Sequence, residues 1–128
     1  MSKLTQAQQI AKHVKDFKDN TADHQNNTAY LVGKDIQIQK DDYGNISVYC
    51  GDQRILLMET TGDELDNGMT AYNAIQTKYL NAIKDALGWE FTLVWAARKL
   101  LAYNSFGSTI PLAKREYSKY ELERINYS

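Results

Sequence analysis

Apolar residues recur along this chain with two different periods, and the switches between them mark the elements. Leu4, Ala7, Ile10, Ala11, Val14 and Phe17 fall three or four positions apart, which places them on one face of a helix. Lys12, Lys15, Asp16 and Lys18 take the other side, and Thr5 with Gln8 has the spacing of a capping box at the helix start. From Asp19 to Thr28 only Ala22 is apolar, which predicts a polar loop.

The period then drops to two. Ala29-Tyr30-Leu31-Val32 reads as a short strand and Gly33-Lys34 as a turn or bulge, after which Ile36 and Ile38 alternate with Gln37 and Gln39. Asp41-Asp42-Tyr43-Gly44-Asn45 is turn chemistry, because Asp, Gly and Asn tolerate the left-handed backbone a hairpin needs. Ile46, Val48 and Cys50 alternate with Ser47 and Tyr49, Gly51-Asp52-Gln53 turns again, and Arg54 to Glu59 reads as a further strand. Short turns between such runs predict an antiparallel meander.

After an acidic connection from Thr61 to Gly68, Met69, Tyr72, Ile75, Tyr79, Leu80, Ile83 and Leu87 return to helical spacing. They predict an amphipathic helix over 69–87, with Gly88 where a C-terminal cap belongs. Trp89, Phe91, Leu93 and Trp95 alternate with Glu90, Thr92 and Val94, which predicts β-structure. A helix over 91–103 competes, since Ala96-Ala97-Arg98-Lys99-Leu100-Leu101 has high helix propensity; the strand reading is preferred. Asn104 to Ser108 reads as a turn. Pro111, the only proline, puts Thr109 to Leu112 on a sheet edge, because proline donates nothing to a ladder. Lys114 to Ile125 predicts a short helix carrying Tyr117, Tyr120, Leu122 and Ile125.

The expected fold class is therefore α+β: an N-terminal helix, an antiparallel β-meander, a central amphipathic helix, a further β-hairpin and a short C-terminal helix. A chain of 128 residues supports one core, so residues 1–128 are expected to form a single globular domain. A hydrophobic fraction of 43% and a charged fraction of 24% argue against disorder.

Charge is uneven. Residues 1–18 carry four lysines against Asp16, for +3; residues 19–68 carry ten acids against three bases, for −7; residues 69–128 carry eight bases against five acids, for +3. An isoelectric point near 6.1 and the lack of a basic recognition helix disfavour a duplex DNA reader. The lone Cys50 cannot close an intramolecular disulfide, and the polar start Met1-Ser2-Lys3-Leu4-Thr5-Gln6 is unlike a signal peptide. A cytoplasmic protein is expected. No membrane helix is expected either, since Glu90, Thr92, Arg98 and Lys99 interrupt the longest apolar-rich run.

Catalytic chemistry has no visible constellation. His13 and His24 sit in no nucleophile motif with Cys50 or a serine, and Gly107-Ser108-Thr109 lacks the spacing and lysine of a phosphate-binding loop. The acidic clusters at 41–45 and 63–66 lack the ligand spacing of a calcium loop. No enzyme, metal or cofactor is expected.

Two binding surfaces are candidates. Tyrosine is over-represented, nine against three phenylalanines, and it supplies contact area with a polar tip at low conformational cost. The leading expectation is a non-enzymatic protein that covers a partner protein through Asp41, Asp42 and Tyr43 at a hairpin tip and through Asp63, Glu64 and Asp66 in the acidic loop. Compact, rich in Tyr and Asn and poor in Pro, the chain is similar in style to small accessory proteins of phages and mobile elements. That resemblance implies inhibition of a host enzyme or defence complex, in the host cytoplasm. The second expectation is a nucleotide or small-ligand binder, a homo-oligomer with sites between subunits, or a single-strand nucleic acid binder. Its residues would be Arg98, Lys99, Tyr103, Lys114, Arg115, Tyr117 and Tyr120, cations for phosphate and rings for stacking. Glu116, Glu121 and Glu123 dilute that basic character.

Overall fold

The computed structural model describes residues 5–18, 28–32, 36–41, 45–58, 68–104, 107, 109–113 and 115–124. The expected loop from Asp19 to Thr28 apart from Thr28 itself, the turn at Gly33-Lys34, residues 42–44 of the expected Asp41–Asn45 turn and the acidic connection from Thr61 to Gly68 apart from Gly68 lie outside the described residues.

Helix α1 (Gln6–Lys18) starts as its sequence predicts: Gln8 N donates to Thr5 Oγ1 at 3.1 Å and Thr5 N donates to Gln8 Oε1 at 2.9 Å. These two bonds satisfy backbone donors that a helix start leaves free. Ala7, Ile10, Ala11, Val14 and Phe17 form its buried face. Near its other end, the Phe17 carbonyl accepts a hydrogen bond from Lys40 Nζ at 3.0 Å. Lys40 is only 4% exposed, and a cation is well placed there, at the negative end of the helix dipole.

Strands β1 (Thr28–Val32), β2 (Ile36–Lys40), β3 (Ile46–Cys50), β4 (Gln53–Met58) and β5 (Gly68–Met69) form a sheet in sequence order. Every pairing is antiparallel, so this is a meander. Gly51 takes a φ of 61° in the two-residue turn between β3 and β4, where a left-handed residue is needed. Its buried side, Ile36, Ile38, Ile46, Val48, Ile55, Leu56 and Met58, belongs to one apolar core that also takes in α1.

The central helix begins later than the periodicity predicts. Helix α2 spans Ala74–Leu87, with Asn73 as N-cap accepting from Gln76 N at 2.8 Å. Met69 belongs instead to β5, where it lies opposite Leu56 of β4, and Thr70 N donates to Ile55 O at 3.0 Å. Tyr72 and Ile75, placed by the helical spacing on the buried stripe, are 48% and 61% exposed. Strand pairing satisfies the backbone of residues 68–70 and thus outcompetes an extra helical turn. At the other end Gly88 (φ 74°) closes the helix as predicted, with Trp89 N donating to Lys84 O at 2.9 Å.

Trp89 to Tyr103 resolves into a hairpin, with no helix. Strands β6 (Phe91–Ala96) and β7 (Lys99–Asn104) pair in antiparallel register from Phe91↔Asn104 to Ala96↔Lys99, leaving Ala97 and Arg98 as the turn. Strand β8 (Thr109–Pro111) adds to β7 and places Pro111 on the sheet edge, as expected of a residue that cannot donate. Phe91 and Leu93 of β6, with Leu100 and Ala102 of β7, face the core. The opposite edge, β6, is covered by α2: Leu93 N donates to Asn81 Oδ1 at 2.8 Å and Asn81 Nδ2 donates to Leu93 O at 2.7 Å. One amide thus substitutes for a neighbouring strand.

The C-terminal helix starts later than the predicted span of 114–125, since residues 115–118 are not helical. It spans α3 (Lys119–Arg124), because Ser118 and Glu121 form a second capping box, with Glu121 N donating to Ser118 Oγ at 3.0 Å and Ser118 N to Glu121 Oε1 at 3.3 Å. Upstream of it, Met69 and Tyr117 exchange backbone bonds of 2.8 and 2.9 Å. Glu116 closes over Gly68, where a Cβ would sit 2.9 Å from its carboxylate, and pairs with Arg54 at 3.1 Å.

Removing the Asn81 amide strips two partners from the Leu93 backbone. Asn81→Ala is expected to lower folding stability by about 1–3 kcal/mol, read as a lower denaturation midpoint at unchanged m-value. An unchanged midpoint would show that the edge needs no cover.

Candidate functional site

Among the described residues, a concavity lies between residues 70–72 and the β6–β7 turn. Its volume is about 480 Å³, within the common range for small-ligand pockets. Three backbone segments make it: Thr70-Ala71-Tyr72 after β5, Trp95 with Arg98-Lys99-Leu100 at the β6–β7 turn, and Leu112-Ala113 after β8. Ala71, Trp95, Leu100 and Leu112 supply apolar wall, while the exposed Tyr72, Arg98, Lys99 and Ala113 stand where it opens to solvent.

Each segment is held by bonds within the fold. Thr70 N is bonded to Ile55 O, Tyr72 N donates to Gln76 Oε1 at 2.7 Å, and Leu112 N donates to Leu100 O at 2.9 Å. Ala113 N donates to Tyr117 Oη at 2.9 Å. The concavity is therefore built into the resting fold, which lowers the ordering cost of binding.

The turn is unusual chemically. Ala97 and Arg98 have φ of 51° and 61°, both left-handed. A two-residue turn with both residues left-handed is normally Asn-Gly or Asp-Gly. A Cβ-bearing residue costs roughly 1–2 kcal/mol in that region. This sequence therefore tolerates strain at a point that puts a guanidinium beside the cavity.

The cations divide into two groups. Arg115 is committed: it pairs with Glu121 at 2.8 Å, donates to Glu116 O at 2.9 Å and lies 3.7 Å over the Tyr117 ring. The hydrogen bond from Arg115 holds the Glu121 carboxyl below its usual range, against partial burial, and Glu121 in turn raises Arg115. Lys12, Arg54, Lys84 and Lys119 are paired too, with Asp16, Glu116, Asp85 and Glu123. Arg98 and Lys99 are ion-paired to none of the described residues. Among the described residues, none that lines the cavity is an acid.

Of the residues named from sequence for ligand binding, the structure brings Arg98 and Lys99 together. Tyr103 is 47% exposed and shares the outer face of β7 with Lys99, opposite Thr92 and Thr109 in register, but it is not among the residues lining the cavity. Tyr117 is buried behind the wall, where its hydroxyl holds Ala113. Tyr120 belongs to α3, and Lys114 lies outside the described residues. Of the set named for a protein partner, Asp41 is exposed and closes the β2–β3 connection, accepting from Asn45 N at 2.9 Å. Asp42, Tyr43, Asp63, Glu64 and Asp66 lie outside the described residues.

Sequence reasoning did not single out Trp95, Tyr72 or Leu112 as cavity residues. Trp95 was visible as the last member of an alternating run. Tyr72 was assigned to a helix stripe, and only its break from β5 into the Asn73 cap puts it here.

A second hollow of about 460 Å³ lies between α1 and α2, but Lys12, Lys15 and Asp85 give it mixed charge. Among the described residues no group of three or more His, Cys, Asp or Glu could hold a metal ion. Cys50 is half-buried against the core, and no helix of the described residues is long and apolar enough to cross a membrane. Comparison with protein-family models, with curated proteins and with solved structures gave no match.

The Arg115–Glu121 pair generates a pH test. A carboxyl lowered in the folded state contributes stability that is present above its unfolded pKa of about 4.3 and is lost as pH falls through the folded value. Both side chains are more than a third exposed, 53% and 39%, so solvent screening keeps the gain under about 1 kcal/mol. Wild type is expected to exceed Glu121→Gln in stability near neutral pH and to converge with it in acid. A gap independent of pH would assign the effect to capping alone.

Proposed function

We propose that this chain is a non-enzymatic binding protein that captures a small organic ligand in the cavity between the β6–β7 turn and residues 70–72. The single observation that carries this reading is the pairing of an apolar wall with two cations that nothing else in the described structure uses. A preformed cavity of this volume buries most of a small aromatic molecule, and the gain per unit of apolar area needs no chemistry at the site. Trp95 offers a ring face for stacking.

This is the second of the two readings the sequence supports. A protein partner has one observation of its own: Val94 and Tyr103, 40% and 47% exposed, stand on the outer face of the three-stranded sheet. A Val94→Asp, Tyr103→Asp variant is expected to lose any co-purifying protein while leaving ligand capture intact if that face is an interface. Loss of neither removes the protein-partner reading.

The cavity itself is tested with two fluorescent probes of matched aromatic body, neutral phenylnaphthylamine and anionic anilinonaphthalene sulfonate. At least one is expected to bind saturably at one site per chain, with energy transfer from tryptophan. Ala113→Trp places a ring over the opening from an exposed position and is expected to weaken that binding at least roughly tenfold, the effect of about 1.4 kcal/mol. Absence of saturable binding by both probes, or binding indifferent to Ala113→Trp, overturns the proposal.

A further inference from the structure

We infer that the cavity selects a flat apolar body bearing an anionic group, and that the strained Ala97-Arg98 turn is retained in order to hold the Arg98 guanidinium at its opening. The inference rests on the cavity reading above and specifies its ligand.

Charge argues for the anion. Arg98 and Lys99 are consecutive, exposed and unpaired among the described residues, whereas five other cations of the described structure are each matched to a carboxylate. An unpaired guanidinium beside an apolar wall gains most from a ligand that brings a carboxylate, sulfonate or phosphate, because charge-assisted bonds strengthen where water is partly excluded. Among the described residues, the lining includes no acid that would satisfy these cations or repel such a group. The flat body follows from the composition of the wall, to which Trp95 contributes an indole beside Ala71, Leu100 and Leu112, a ring on which planar aromatic groups stack.

Backbone geometry argues that Arg98 is a specificity-determining residue and more than a surface charge. A turn serving only to reverse the chain would be more stable with Asn-Gly at these two positions. Observed strain of this kind concentrates at binding sites, where the surrounding structure enforces it. Here the enforcement is visible: Ala96↔Lys99 is the last pair of a continuous six-pair ladder, which leaves two residues to reverse the chain, and the twist of the strands favours a primed turn there. The turn thereby fixes where the Arg98 Cβ starts, and little ordering remains to be done when an anion arrives.

The two roles make opposite predictions for the same substitution. Arg98→Gly is expected to raise the denaturation midpoint, since glycine fits a left-handed turn. It is also expected to weaken anilinonaphthalene sulfonate binding by roughly ten- to a hundredfold, the loss of one charge-assisted contact. Phenylnaphthylamine binding should stay within about twofold, because the wall is untouched. Ala97→Asn is expected to raise the midpoint with both probe affinities unchanged, and Arg98→Lys to keep most of the sulfonate affinity. Displacement of the sulfonate by naphthoate or by naphthyl phosphate then identifies the favoured head group. Sulfonate binding no tighter than that of the neutral probe, or equal losses of both probes in Arg98→Gly, overturns the inference and leaves the cavity reading standing. Failure of both probes in the wild type overturns the cavity reading itself.

Discussion

The hydrogen bonds that the segment from Leu112 to Tyr117 makes to both sheets are the constraint on which this architecture turns. Leu112 N is bonded to Leu100 O in the second sheet, and Tyr117 exchanges two backbone bonds with Met69 in the first. A short piece of chain thus ties the meander to the hairpin at a fixed spacing. The space left between residues 70–72 and the hairpin tip is a consequence of that spacing. Tyr117 contributes twice, since its hydroxyl also accepts from Ala113 N. Replacing such bonds with water on one side would loosen the cavity wall before it unfolded the core.

Polar side chains carry much of the long-range organisation. Asn81 covers the β6 edge, Gln76 joins the α2 start to Gln53 of β4 at 2.9 Å, and Asn104 donates to Leu122 O at 3.0 Å. Lys40 reaches the end of α1 from the meander. Among the described residues no buried side-chain polar atom lacks a partner. Each of these amides or ammonium groups replaces water that an edge, a helix end or a strand end would otherwise require. The apolar core supplies the driving force, and these bonds specify how the three helices and two sheets are set against one another.

Electrostatics separates structural from available charge. Arg115 is expected from the sequence as a phosphate-binding cation, yet it pairs with Glu121 and lies over the Tyr117 ring beside the α3 cap. Arg98 and Lys99 sit one hairpin away on a turn whose backbone is strained and whose neighbours are apolar. The same residue type therefore plays opposite roles according to whether a carboxylate is within reach.

Much of this was legible in the amino-acid sequence by itself: helix α1 with its Thr5–Gln8 cap, the meander of 28–58, the Gly88 stop and the placement of Pro111 on an edge. These rest on local causes, namely side-chain period, capping geometry and the φ range of Gly and Pro, which neighbours in sequence suffice to determine. The start of α2, the Ala97-Arg98 turn, the onset of α3 and the pairing of Arg115 were decided by tertiary structure. Met69 satisfies helical spacing, but its backbone is claimed by β4 and Tyr117, which are distant in the chain. Ala97 and Arg98 carry no turn signal, and only the ladder on either side forces them left-handed. The sequence marked Arg98 and Lys99 as cations among aromatics. Only packing decided that they would stand together beside Trp95, unpaired among the described residues, because a cavity is a relation between segments that no single stretch of residues contains.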